Sequence, residues 1–266
     1  MSTDRASSQR YREDGFYLSQ NSIIPSDVIE RACEGMDKIR VGDYDTGEPP
    51  QPSRWNPGDS EDELCKIEMP QKASHGVREL VSQKALGEFV ATVTGACMVQ
   101  VWWVQLLCKP SSPIDQVEGV NVGWHQDRQY WGVWEEGSEL FTAWVAVSDV
   151  TSQCGPMRFV RGSHRWGFLD EGNFSGQDLS RQRNEDISLP AGESWEEVEV
   201  VLPAGGVSVH DRLVYHGSGP NHSGALRRSF AIHMRSDKSR PMEDKRQGLT
   251  EFLDNSDYCP VIFGRS

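Results

Sequence analysis

MVQVWWVQLLCK, residues 98–109, is where this 266-residue chain changes character. Val99, Val101, Trp102, Trp103, Val104, Leu106 and Leu107 make the run β-branched and aromatic, a composition that suits a pleated, half-buried surface. It contains neither Gly nor Pro and stops at a Pro/Ser/Asp turn, so it reads as a long strand. Shorter strands are expected after it at 122–127, 141–147, 157–160, 198–202, 206–215 and 229–234. Upstream the period is different. After a polar start (1–12) that is expected to fray, Gly15 to Leu18 reads as a short strand. Ser26 then opens a helix whose apolar positions Val28, Ile29, Ala32, Met36 and Ile39 follow the 3.6-residue period. A loop rich in Pro, Gly, Asp and Glu is expected over 41–66. Ser82 is expected to cap a second helix with Leu86, Phe89, Val90 and Val93 on its buried stripe and Gly95 at its end. Helices followed by many short strands predict an α+β fold whose core is an antiparallel double sheet.

Composition narrows the rest. No Gly/Ser or Pro linker and no fixed-period repeat interrupts the chain, so one domain is expected over 1–266. It divides into a helical part to about 97, a β core over 98–236 and a C-terminal tail over 237–266. The polar stretch 167–197 is an excursion from the core, of a length expected of a lid or a mobile segment. A net charge of −13 argues against nucleic acid or an anionic membrane as partner, because both need a basic footprint. No apolar run approaches a membrane span and no leader is evident, which makes the cytoplasm the expected location. The six cysteines are scattered without a C-x-x-C pair, the pattern of reduced, packed thiols.

Chemistry concentrates in Trp124-His125-Gln126-Asp127. On a strand, a histidine and a carboxylate two apart share a face. A distant histidine, His216, would then complete two histidines and one carboxylate, the facial triad of non-haem Fe(II) oxygenases. Arg227, eleven residues further, would hold an acidic co-substrate. Two alternatives stand beside this reading: His210, in phase with His216 on a regular strand, as a rival ligand, and Arg228 as a rival to Arg227. Adjacent strand residues point to opposite faces, so only one of the two arginines can enter a cavity.

Four blocks in order, GWHQDRQYW (123–131), FTAWVAVSDVT (141–151), GPMRFVRGSHRWG (155–167) and VYHGSGPNHSGALRRSF (214–230), resemble the phytanoyl-CoA dioxygenase family. The resemblance covers about residues 98–235 and favours His216 over His210 and Arg227 over Arg228. It implies a double-stranded β-helix (a cupin-like jelly roll) flanked by N-terminal helices. It also implies Fe(II), with 2-oxoglutarate and O2 as co-substrates. Matched to the family, His125, Asp127 and His216 are the expected iron ligands. Arg227, Trp144, Ser218 and Gln126 are the expected co-substrate residues. Imidazole and carboxylate suit Fe(II), and arginine's planar fork fits a carboxylate bidentately. The related halogenases lack the carboxylate ligand that Asp127 supplies here. The resemblance implies oxidation of a small molecule, read first as hydroxylation with desaturation, epoxidation and ring chemistry left open, and 2-oxoglutarate converted to succinate and CO2.

Plainer roles are weighed against these. Trp102, Trp103, Tyr130, Trp131 and Trp134 are expected mainly as core, with Tyr130 and Trp131 nominated for substrate contact. Arg158 is a further candidate toward an anionic substrate, although arginines on turns are usually solvated. His164 is expected to stabilise its turn, and His75 and His222 to face solvent. Ser218 and Asn221 lie in a Gly-rich turn where such side chains often bond the backbone. Competing functional readings are a jelly roll that holds a metal for binding or non-redox work, and an inactive interaction domain.

Overall fold

The computed structural model describes residues 2–113 and 120–265. The 98–109 run is the spine of the structure, forming β3 (Val99–Lys109). Antiparallel β10 (Arg227–Arg235) lies along one side of it. β2 (Cys65–Glu68) and β11 (Val261–Phe263) share the other side. β10 continues to β5 (Leu140–Ala146), then to β8 (Val207–Asp211) and β1 (Phe16–Leu18), which makes a seven-stranded sheet. Opposite lies a four-stranded sheet of β4 (Val122–His125), β9 (His216–Ser218), β6 (Met157–Val160) and β7 (Glu197–Glu199). Two facing antiparallel sheets with strands alternating between them make the expected jelly roll, mainly β with helices at its N-terminal side.

Strand alternation assigns the two faces of the large sheet. Phe230, Ile232 and Met234 on β10, with Val104, Leu106 and Cys108 on β3, pack outward beneath α2 (Ser26–Arg40), α3 (His75–Val81) and α4 (Lys84–Thr94). Leu107, Trp144 and Ala231 turn inward to meet Phe159 and Met157 of the small sheet. With both faces covered, β3 carries apolar residues on each of them, which is why it reads as a near-continuous run rather than an alternating one.

Several local expectations are corrected. The N-terminus is helical, α1 (Ser2–Asp14), and packs on α4 instead of fraying. Its apolar content is low; its anchors are distant, with Asp14 paired to Arg161 and the Glu13 carbonyl taken by Arg165. Pro25 rather than Ser26 stands at the N-cap of α2. α3 is not among the expected elements; Ser74 caps it by accepting from the Val77 N–H. Ser82 ends α3 and does not open α4. The strand expected over 206–215 ends at Asp211, where the chain turns over Asp211–Val214 and crosses to β9 in the other sheet. The C-terminal tail is not peripheral: β11 pairs with β3. No helix among the described residues is long and apolar enough to cross a membrane.

Candidate metal centre and its cavity

His125 and His216 are Cα partners across the β4–β9 pairing of the small sheet, so their rings project together toward the large one. Asp127 reaches them differently from the sequence expectation. β4 ends at His125, and Asp127 opens a 3-10 turn (Asp127–Tyr130), so the turn, not strand alternation, brings the carboxylate back. The Nε2 atoms of His125 and His216 lie 3.9 and 3.7 Å from Asp127 Oδ1. One ligand atom from each of the three residues falls within 4.8 Å of the others, and all three residues are buried.

The hydrogen bonds decide which atoms are bare. His125 Nδ1 lies 2.8 Å from the Gly123 carbonyl, and His216 Nδ1 lies 3.0 Å from the Val214 carbonyl. A carbonyl only accepts, so both Nδ1 atoms carry the proton and both Nε2 atoms present lone pairs. Burial depresses both histidines, His216 further because His125 faces it, and this keeps the rings neutral. Burial works against ionisation of Asp127. The hydrogen bond from His210 opposes it, and the carboxyl is held well below its ordinary value. Asp127 Oδ2 accepts from the Thr142 hydroxyl at 2.7 Å and from His210 Nε2 at 3.2 Å. Thr142 in turn accepts from His233 Nδ1 at 2.9 Å. Asp127 Oδ1 is thereby left to the cluster. Three lone-pair atoms with no proton among them repel one another, and a cation resolves the arrangement.

His210, the rival ligand, sits behind the carboxylate on Oδ2, outside the triad. Sequence reasoning missed this backing role, and that of Thr142 and His233, because the three lie on separate strands. Their common phase on the inner face of the large sheet was the available signal.

The triad opens into a cavity of about 230 Å³. At one end stand Arg227, Ser218 and Trp144, with the Arg227 guanidinium 5.5 Å from the Trp144 ring centre. Arg227 is buried and donates to the Gly155 carbonyl, while its Nε has no partner. Burial pulls its pKa down to about 10. Arg228 points the other way and pairs with Asp37 of α2 at 3.0 Å. The other end is walled by Lys66, Glu68, Trp103, Gln105, Trp131 and Leu249, with Tyr130 and Phe174 closer to His125.

Two candidates lie elsewhere. The Gln126 side chain bonds Gly167 O, Leu213 O and Leu169 N and does not line the cavity; it ties the turn to its neighbours. Arg158 pairs with Glu197 at 3.1 Å and also lies outside the lining. His164 bonds the Arg12 carbonyl and so joins its turn to α1. His222 is half-buried, not solvent-facing, and bonds Ser112 O.

The 167–197 excursion is docked over the triad. Phe174 accepts through its carbonyl from Gly123 N (2.9 Å), and its own N–H donates to Tyr130 OH (2.9 Å). The buried Gln182 accepts from Trp124 N and donates to Asn173 O. A Cβ at Gly123 would meet Asn173 O at 2.1 Å, so only glycine permits this approach.

Comparison with known proteins agrees with this architecture. The profile of the phytanoyl-CoA dioxygenase family matches residues 11–229. A probable alpha-ketoglutarate-dependent hypophosphite dioxygenase of Stutzerimonas stutzeri is 23% identical over 230 residues, covering 85% of this chain and 77% of that protein. Among solved structures, the epimerase SnoN in complex with Fe3+, alpha ketoglutarate and nogalamycin RO superposes with a TM-score of 0.68 at 20% identity. That match covers 91% of this chain and 88% of SnoN. The non-heme monooxygenase ThoJ superposes with a TM-score of 0.63 at 25% identity, covering 89% and 79%.

Proposed function

This chain belongs to the phytanoyl-CoA dioxygenase family and uses Fe(II), 2-oxoglutarate and O2, and from that premise we propose that it hydroxylates a small-molecule substrate with release of succinate and CO2. His125, Asp127 and His216 are the residues that would hold the iron. When bound, iron supplies the oxidative decarboxylation of 2-oxoglutarate and the transfer of an oxygen atom to the substrate. The observation that carries the reading is the convergence of three proton-free donor atoms on a buried cavity whose far end holds an arginine without a carboxylate partner among the described residues.

The protein's own tasks follow from the geometry. Thr142 and His210 fix Asp127 through Oδ2, so that Oδ1 faces the metal position. Arg227 receives the distal carboxylate of 2-oxoglutarate as a paired charge, where the buried guanidinium gains most from an anion. Trp144 walls that end, and Ser218 stands beside it. Tyr130, Trp131 and Phe174 shield the other side of the triad and exclude water from the position where a substrate C–H bond would sit. A protein ligand at Asp127 leaves no position there for a halide, which favours oxygen insertion over halogenation. A metal serving a non-redox role would leave Arg227 buried without a counter-charge.

His125→Ala and Asp127→Ala are expected to abolish iron-dependent formation of succinate from 2-oxoglutarate while the far-ultraviolet circular dichroism stays native. Wild-type turnover in either folded variant would sink the assignment.

A further inference from the structure

Arg227 has a second buried cation beside it, just outside the cavity lining. Its Cα partner across the β10–β3 ladder is Lys109, and both side chains are buried, Lys109 completely. Like charges directly opposite in a ladder repel, and a buried charge without a counter-ion is costly. Neither residue has a carboxylate beside it among the described residues. A sheet core holding two such groups side by side is organised around an anion that the chain itself does not supply.

The contacts of Lys109 define its part. Its Nζ lies 2.6 Å from Ser218 Oγ, 2.7 Å from Gly219 O and 3.3 Å from Ser218 O. Three oxygen acceptors match the three N–H bonds of an ammonium, which has no lone pair with which to accept. Ser218 Oγ must then accept from Lys109, and the hydroxyl proton is directed elsewhere. Ser218 lines the cavity together with Arg227.

We infer that Lys109 is a positioning residue for the co-substrate: it fixes the Ser218 hydroxyl as a donor toward the distal carboxylate. This rests on the 2-oxoglutarate reading above and assigns a residue to it that the triad and its arginine do not include. Burial, with Arg227 and Arg158 nearby, pushes the Lys109 pKa well below the usual ammonium value. An arriving carboxylate opposes that push. It favours the ammonium over the neutral amine, whose lone pair would otherwise take the Ser218 proton.

The test uses the full chain loaded with Mn(II), which binds without turnover, and measures dissociation constants by calorimetry. The probes are 2-oxoglutarate and 2-oxopentanoate, which has the same carbon chain but no distal carboxylate. Lys109→Met is expected to weaken 2-oxoglutarate about tenfold or more and 2-oxopentanoate by less than about twofold. Ser218→Ala should show the same selective loss, and the double variant little beyond either single one, because Lys109 acts through Ser218. If Lys109→Met does not fold, Lys109→Gln, whose shorter side chain loses the reach to Ser218 Oγ, should show the selective loss. Unchanged 2-oxoglutarate affinity in a folded Lys109 variant overturns the inference, as does equal weakening of both acids or full additivity with Ser218→Ala. In each of those cases wild-type binding of 2-oxoglutarate leaves the proposed function standing. A wild-type protein that takes up Mn(II) but no 2-oxoglutarate removes both.

Discussion

The two ends of the cavity carry charge in opposite ways. At the Arg227 end two buried cations face one another with no carboxylate beside them among the described residues. At the other end Lys66 pairs with Glu68 at 3.2 Å, and Glu68 also accepts from Trp103 Nε1 at 2.6 Å. Lys66 completes its surroundings over the Phe174 ring, 4.5 Å from its centre. One end is neutralised within the chain; the other waits for charge from outside. On the proposed function, the difference separates a ligand site from a wall. Polar groups whose demands are met internally shape a space, whereas unmet ones specify what must enter it.

Substitutions at each end can break this contrast. The largest effect is expected from Arg227→Met, which should weaken 2-oxoglutarate about 100-fold in a titration of the Mn(II)-loaded protein, because a desolvated charged contact is lost. Arg228→Met is its control: that side chain leaves the sheet on the opposite face, and its half-exposed pair with Asp37 predicts less than about a twofold change. Equal effects of the two would erase the distinction between the faces of β10. Between the ends, Thr142→Val removes the hydroxyl that holds Asp127 Oδ2. Metal affinity should fall about tenfold, read by Mn(II) titration, with the fold intact. The last test belongs to the neutralised end and touches stability rather than binding. Glu68→Gln strips Lys66 of its counter-charge and should lower stability by about 1–2 kcal/mol in urea unfolding. A variant as stable as wild type would show that the Lys66–Glu68 pair is not what settles that wall.

Much of this was legible in the sequence, and the gaps have physical causes. The jelly roll followed from β3 and the short strands after it, since strand composition and turn residues are local properties. The triad and Arg227 followed from ordered blocks, although the strand geometry first invoked for Asp127 was wrong: a 3-10 turn delivers it. Lys109 was passed over as the polar end of an apolar run. Its inward phase, shared with Trp103, Gln105 and Leu107, was readable in β3, but its partner 118 positions away in β10 was not. His210 and Thr142 were hidden for the same reason, because their meaning depends on cross-strand register. Gln126 was misplaced by its position inside the motif. Its amide faces away from the cavity toward backbone groups at 167, 169 and 213, contacts that exist only once the chain has folded.

The docked excursion also decides the traffic. Gln182 pins it to β4, and Gly123 admits it to contact distance, so this side of the triad is roofed. Leu64, Lys66 and Phe174 line both the inner cavity and a wider outer groove of about 720 Å³ that also includes Arg54, Asp59, Asp62 and Glu63. That threshold is the doorway. On the proposed function, a substrate would reach the metal by threading one end past the Lys66–Phe174 stack, and the bond oxidised would be set by how far the molecule reaches inward rather than by how well its whole outline is enclosed.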